Sequence, residues 1–197
     1  MGKILSGFTS KTAERLLLGA GAFFKDFDIG TDTYETAKET KLIGATQGGG
    51  SFSAVPTVRR IEIDGVSGAA KGLEVIDEWT VTMTANVKEV TAESLALALG
   101  PGKKGAGVEG YDKITANANI AISDYMNNIT WVGTLSGSKK PLIIVVKNAL
   151  SINGLSMTVA AKSEATVPIT VTGHYDADNL DEPPFEIYYP KKAGGDA

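Results

Sequence analysis

Glu78-Trp79-Thr80-Val81-Thr82-Met83-Thr84-Ala85-Asn86-Val87-Lys88 is the stretch that decides the fold. Trp79, Val81, Met83, Ala85 and Val87 fall on one side of an extended chain, and the polar residues fall on the other. Strict alternation of this kind marks a strand with one face packed and the other toward solvent or a cavity. The segment 78–88 would span about 36 Å at roughly 3.3 Å per residue, which is long for a globular protein.

Similar signals lie on either side. In 114–122, Ile114, Ala116, Ala118, Ile120 and Ile122 alternate with Thr115, Asn117 and Asn119, which predicts a strand with an uncharged polar face. A third strand is predicted over 128–135, ending at the turn Ser136-Gly137-Ser138. Pro141 opens Leu142-Ile143-Ile144-Val145-Val146, apolar on both faces and therefore central. The stretch 166–175 reads as another strand, with Pro168 marking an edge or a bulge. One helix is expected after Thr91, an N-cap followed by Glu93, with Gly100-Pro101 as its stop. Residues 100–110 read as a flexible loop, and 11–18 as either a short helix or a strand. The segment 26–52 has weak periodicity, many charges and a glycine run. It reads as a long functional loop that a neighbouring subunit orders.

Composition narrows the function classes. At 197 residues and 20.6 kDa the chain is long enough to bury about 70% of its unfolded surface as one β-domain. It has no cysteine, which excludes disulfides and thiolate metal sites. The net charge of -4 does not suggest an electrostatic grip on nucleic acid. The apolar run 142–146 is far short of the roughly 20 residues that span a bilayer, so no membrane partner is expected. Residues 1–7 lack the apolar core of a signal peptide, and the match of Met1-Gly2-Lys3-Ile4-Leu5-Ser6 to a myristoylation pattern reads as chance. Asn128-Ile129-Thr130 matches a glycosylation sequon but reads as strand.

Catalytic and cofactor motifs do not assemble. The glycine run 44–50 is followed by Ser51-Phe52, without the lysine of a phosphate loop. Gly19 and Gly21 begin a dinucleotide-like pattern that Phe24 ends. His174 is the one histidine and has no nucleophile motif beside it. Asp176, Asp178, Asp181 and Glu182 form an acidic loop without calcium-loop spacing. Trp79 and Trp131 read as core. The expectation is therefore no catalytic residue, no metal and no cofactor.

Several motifs occur in a recognisable order. Gly44-Ala45-Thr46-Gln47-Gly48-Gly49 precedes Arg59-Arg60-Ile61-Glu62-Ile63-Asp64. Trp79 and the helix at 91–99 follow, then Tyr125-Met126-Asn127-Asn128-Ile129 and Val146-Lys147-Asn148-Ala149. The chain closes with Pro184-Phe185-Glu186-Ile187-Tyr188-Tyr189-Pro190. Over nearly its whole length the chain resembles the major tail tube proteins of long-tailed bacteriophages. The resemblance implies a mainly β fold: an antiparallel β-sandwich or barrel-like domain, with one flanking α-helix and extended loop and terminal arms, related to the tube of type VI secretion. It implies one tube domain over 1–197, with an N-terminal arm at about 1–15, an inter-subunit loop at about 26–55 and a C-terminal arm at about 176–197.

The resemblance also implies a structural virion protein, assembled in the bacterial host cytoplasm. Its partners would be its own copies in stacked hexamers, a tape-measure protein, tail terminator and distal tail proteins, and a tail assembly chaperone. DNA would be passing, non-specific cargo. Gly44, Gly48, Gly49, Phe52, Pro184, Phe185, Ile187 and Tyr189 become candidates for contacts between subunits.

A channel for DNA has a charge requirement. A ring about 36 Å tall would face about 20 phosphates, and an inward lysine repeated six times per ring would grip them. The lining should be neutral or acidic, so Thr80, Thr82, Thr84, Asn117 and Asn119 are the lumen candidates. The rival readings are a tube from a contractile tail or injection machine, a secreted carbohydrate-binding or adhesin sandwich, and an enzyme using His174 with Asp176.

Overall fold

The computed structural model describes residues 7–191 and is mainly β. Its strands are β1 Leu17–Lys25, β2 Thr46–Arg60, β3 Glu74–Val87, β4 Gly102–Ala106, β5 Asp112–Ala116, β6 Met126–Leu135, β7 Leu142–Ser151, β8 Thr158–Ala160, β9 Ser163–Thr172 and β10 Phe185–Tyr188. The helices are α1 Tyr34–Ala37 and α2 Ala92–Leu99. The main path of hydrogen-bonded strands runs β1-β6-β7-β9-β3-β2, all antiparallel, with β10 added to β7 and β8 to β9.

The path folds over on itself at β7. The first part of β7 pairs β6 and β10, and its last residues, Leu150 and Ser151, pair β9. Two layers result, and their facing sides make one core. Val81, Met83, Ala85 and Val87 of β3 meet Phe23, Ile129, Trp131 and Val146 from the other layer. The alternation in 78–88 is thus realised as expected, with Val81 and Val87 fully buried. Burial of each such side chain contributes on the order of 1.5–3 kcal/mol.

The helix after Thr91 also forms where expected. The Thr91 hydroxyl accepts from the Ser94 amide and the Ser94 hydroxyl from the Thr91 amide, satisfying two end donors. Ser94 and Ala98 are its buried residues, and the Ser151 hydroxyl donates to the Ala98 carbonyl, tying α2 to β7. Pro168 lies between Thr166, paired to β8, and Val171, paired to β7. There β9 has only β3 beside it, as a proline requires.

Several expectations need correction, and one open reading is settled. The strand predicted over 114–122 ends at Ala116, and Ile120 and Ile122 are exposed. It belongs to the separate β4–β5 hairpin, so its alternating isoleucines do not face the main core. The stretch 100–110 is not a loop throughout, because β4 occupies Gly102–Ala106. The ambiguous 11–18 resolves into a single 3-10 turn, Thr12–Glu14, and then the start of β1.

The long loop at 26–55 is the largest error. Its last third, from Thr46 on, belongs to β2, and residues 26–45 pack against the chain's own core. Phe27 and Ala37 pack with Phe24 and Val132 in a second buried cluster. The Asn128 side chain accepts from the Phe27 amide and donates to its carbonyl. The helix α1 sits in this stretch, so two helices flank the sheets rather than one. The myristoylation pattern at 1–6 and the ends of both arms lie outside the described residues.

Candidate assembly surfaces

The outer face of β2, β3 and β9 is a carpet of hydroxyls. Ser51 lies opposite Thr84 and Ser53 opposite Thr82, while Thr84 pairs Thr170 and Thr82 pairs Thr172. Thr84 and Thr170 share a hydrogen bond of 2.9 Å. These side chains point away from the core because their neighbours Met83, Val171 and Ile169 are buried in it. Of the lumen candidates, Thr80, Thr82 and Thr84 belong to this face. Asn117 and Asn119 do not, since they follow the end of β5 on a loop. Sequence reading missed Ser51, Ser53, Thr170 and Thr172, although Thr170 and Thr172 alternate with Ile169 and Val171 in plain view. At the border of the carpet, Lys88 is neutralised by Glu164 at 3.0 Å and bonded to Gln47.

Beside the carpet, β2 and β3 run on as a two-stranded ribbon. The last β9 partner of β3 is Thr172 opposite Thr82, yet β2 and β3 stay paired to Arg60 opposite Glu74. Both strands are exposed there, with Val58 at 52% and Ile76 at 50%. The loop 61–73 adds Ile61, Ile63 and Val66, all exposed. An isolated two-stranded hairpin is marginal in water, so this ribbon calls for cover.

The two terminal strands of the path, β1 and β2, come face to face without pairing. Each is interrupted by glycines. The register slips between Leu18 and Ala22 in β1, and between Thr46 and Gly50 in β2. Gly48 and Gly49 adopt φ of 74° and 66°, which glycine tolerates without cost. A Cβ on Gly49 would sit 3.4 Å from the Ala20 Cβ, so the two bulges touch. The run 48–50 is therefore neither a phosphate loop nor a loop at all; no helix follows it.

The chain laces this seam at one end only. The Ile43 amide donates to the Phe23 carbonyl and the Lys88 amide to the Ala45 carbonyl. At the other end the seam gapes into a cavity of about 530 Å³, lined by Leu17, Phe23, Phe52, Met83, Trp131 and Ile144 among others. Gly44 is buried against Val87. Gly48 and Gly49 line the cavity, as does Phe52.

The C-terminal arm divides in two. Pro184 is fully buried, and Phe185 stacks on Phe52 and Trp79 with ring centroids 5.9 and 5.4 Å apart. These anchors, offered as contacts between subunits, are engaged inside the chain. Ile187 and Tyr189 remain exposed.

Lys147 of β7 clamps β10. It reaches Glu182 at 3.3 Å and Glu186 more closely, and the Tyr188 hydroxyl also donates to Glu186. The Lys147 hydrogen bond, then that of Tyr188, holds the Glu186 carboxyl below the usual carboxylate range. The same pairing with Glu186 raises the Lys147 ammonium.

A carboxyl depressed on folding stabilises above its unfolded pKa, and this is lost as pH falls through the folded value. The raised lysine contributes fully below its ordinary range and loses its share only at higher, alkaline pH. Acid therefore loosens β10, by at most about 1 kcal/mol for a partly exposed pair. After correction for intrinsic rates, the β10 amides should exchange faster at about pH 3 than at about pH 7. Glu186→Gln should abolish most of that difference. Identical protection in both proteins at both pH values would contradict the clamp.

His174 and the acidic loop at 176–182 make local contacts within the chain. His174 Nδ1 lies 3.1 Å from the Asn148 carbonyl, and its ring meets Tyr125 edge-on. In the acidic loop, Asp176 accepts from the Asp178 amide and Asn179 donates to Glu182. Among the described residues no group of three or more His, Cys, Asp or Glu could hold a metal ion. No helix among them is long and apolar enough to cross a membrane. No family model matches this chain, and no curated protein matches it either.

Proposed function

We propose that the chain is a tube-forming structural protein, the tail tube subunit of a long-tailed phage, and that it carries no catalytic site. Copies join at their sheet edges into rings of six, the rings stack, and DNA passes through the bore. The observation that carries this reading is the hydroxyl carpet on β2, β3 and β9, a broad sheet face without a lysine or arginine among its central residues. Phosphates moving along such a wall meet no fixed cation to hold them. The outer edges of β2 and of β1 ahead of Phe23 supply the means of joining, because exposed edges pair with other chains unless they are covered. A closed ring removes those edges, and a head-to-tail contact between rings propagates a filament.

On this reading the protein belongs to the virion tail and is assembled in the host cytoplasm. Its partners are its own copies, the tape-measure, terminator and distal tail proteins, and an assembly chaperone. Negative-stain microscopy of the concentrated protein tests it. Tubes with a central hole are expected, and compact monomers at every concentration would refute it.

A further inference from the structure

Of the eight asparagines in the chain only Asn153 precedes a glycine. The pair Asn153-Gly154 lies just past the end of β7, in the connection 152–157 that leads to β8. Asn153 is exposed. Among the described residues neither its side chain nor the Gly154 amide makes a hydrogen bond. Nothing stands within 4 Å of the place a Cβ on Gly154 would take, so the amide has room to turn.

The other asparagines are each followed by a residue with a side chain, which hinders approach to the amide nitrogen. Asn86, Asn128 and Asn148 also lie within the strands β3, β6 and β7, whose backbones are held by their neighbours. The Asn128 side chain is engaged with Phe27, that of Asn148 with the His174 carbonyl and that of Asn179 with Glu182.

We propose that Asn153 is a self-modifying site, converted by water through a cyclic imide with Gly154 to a mixture of isoaspartate and aspartate. Hydroxide removes the proton of the Gly154 amide, and the nitrogen attacks the Asn153 side-chain carbonyl carbon. That C–N bond forms, the bond to the side-chain nitrogen breaks, and ammonia leaves with the proton. Water then opens the ring. Opening at the side-chain carbonyl gives aspartate, and opening at the backbone carbonyl gives isoaspartate. No oxidant, cofactor or enzyme is required.

The product differs in a way the fold makes visible. The stretch 148–161 carries no charged residue, and Ile152, Leu155 and Met157 around the site are exposed. Conversion places a negative charge in this apolar patch. Isoaspartate also lengthens the backbone by one atom between β7 and β8. Aged molecules therefore differ from new ones at one defined place, whether or not the chain self-assembles.

The test keeps dilute, unassembled protein warm at about pH 7 and about pH 8 and follows it by peptide mapping with mass spectrometry. The peptide holding Asn153 should become about 1 Da heavier, as NH2 gives way to OH, and split into two chromatographic forms. Its rate should rise about tenfold per pH unit, because the attacking species is a deprotonated amide far below its pKa. A connection that opens at almost no free-energy cost reacts nearly as the unfolded chain does, so the folded rate should lie within about tenfold of that in guanidinium chloride. Asn153→Gln, whose longer side chain must close a larger ring, should remove the conversion.

A folded rate more than about tenfold below the unfolded one would overturn the proposal, since the fold would then be protecting the site. So would conversion that appears first at another asparagine, or a rate indifferent to pH. An Asn153→Gln protein that acquired the charge at the parent's pace would do the same.

Discussion

Replacing Gly50 by valine should lower the unfolding midpoint by about 6–12 °C. A Cβ at this position would lie 2.0 Å from the Thr84 carbonyl oxygen and 2.5 Å from the Phe23 ring. The first neighbour is backbone in a paired strand and the second is a fully buried core ring, so neither can yield cheaply. Overpacking of this kind costs about 3 kcal/mol, and each kcal/mol lowers the midpoint by about 2–4 °C in a protein of this size. Gly48→Ala is the control. Its Cβ would meet nothing within 4 Å, but its φ is 74°. Left-handed strain alone costs about 1 kcal/mol. A thermal melt of both variants separates close approach from backbone conformation. Equal shifts would show that the register at Gly50 is wrong.

A Thr82→Lys tube should retain DNA that the parent tube releases. Thr82 sits in the middle of the hydroxyl carpet, between Ser53 and Thr172. One lysine there per subunit becomes six per ring under the proposed assembly. Six phosphate contacts give a log–log dependence of binding on salt with a slope of about −5, so retention would be strong in dilute buffer and weak at high salt. Filter binding of assembled tubes across a salt series reads this directly. A single substitution is preferable to the pair Thr82 and Thr172, since lysines directly opposite each other would repel and weaken the sheet. Glu109→Lys, on the exposed turn between β4 and β5, adds the same charge away from the carpet and should leave DNA passage unchanged. Equal retention by both variants would place the bore elsewhere.

What was legible in the sequence follows from how local its cause is. The strand at 78–88 could be read because one face is wholly buried, so a period of two survives in the residue types. The helix could be read from its cap, which lies within four residues of sequence. The strand at 114–122 misled for the opposite reason. Its isoleucines alternate as a buried face does, but the hairpin of β4 and β5 stands apart from the main core, and nothing in 114–122 itself reports that.

The glycine run misled because glycine usually breaks strands. Here it makes a bulge whose partner, the β1 segment at Gly19 and Gly21, lies far away in sequence. The order in 26–45 comes from Phe24, Phe27 and Ala37 meeting Val132 across a hundred residues, which leaves no periodic trace. Three of its seven hydroxyls, Thr80, Thr82 and Thr84, were legible from β3 alone. Ser51, Ser53, Thr170 and Thr172 joined it only once the strand order was known.

The most direct test of the account is a helical reconstruction of the assembled protein. It should show Ser51, Thr82, Thr84 and Thr170 facing the bore, and the edges of β1 and β2 completed by neighbouring copies. A bore lined by lysines, or subunits that touch without completing one another's sheets, would contradict it.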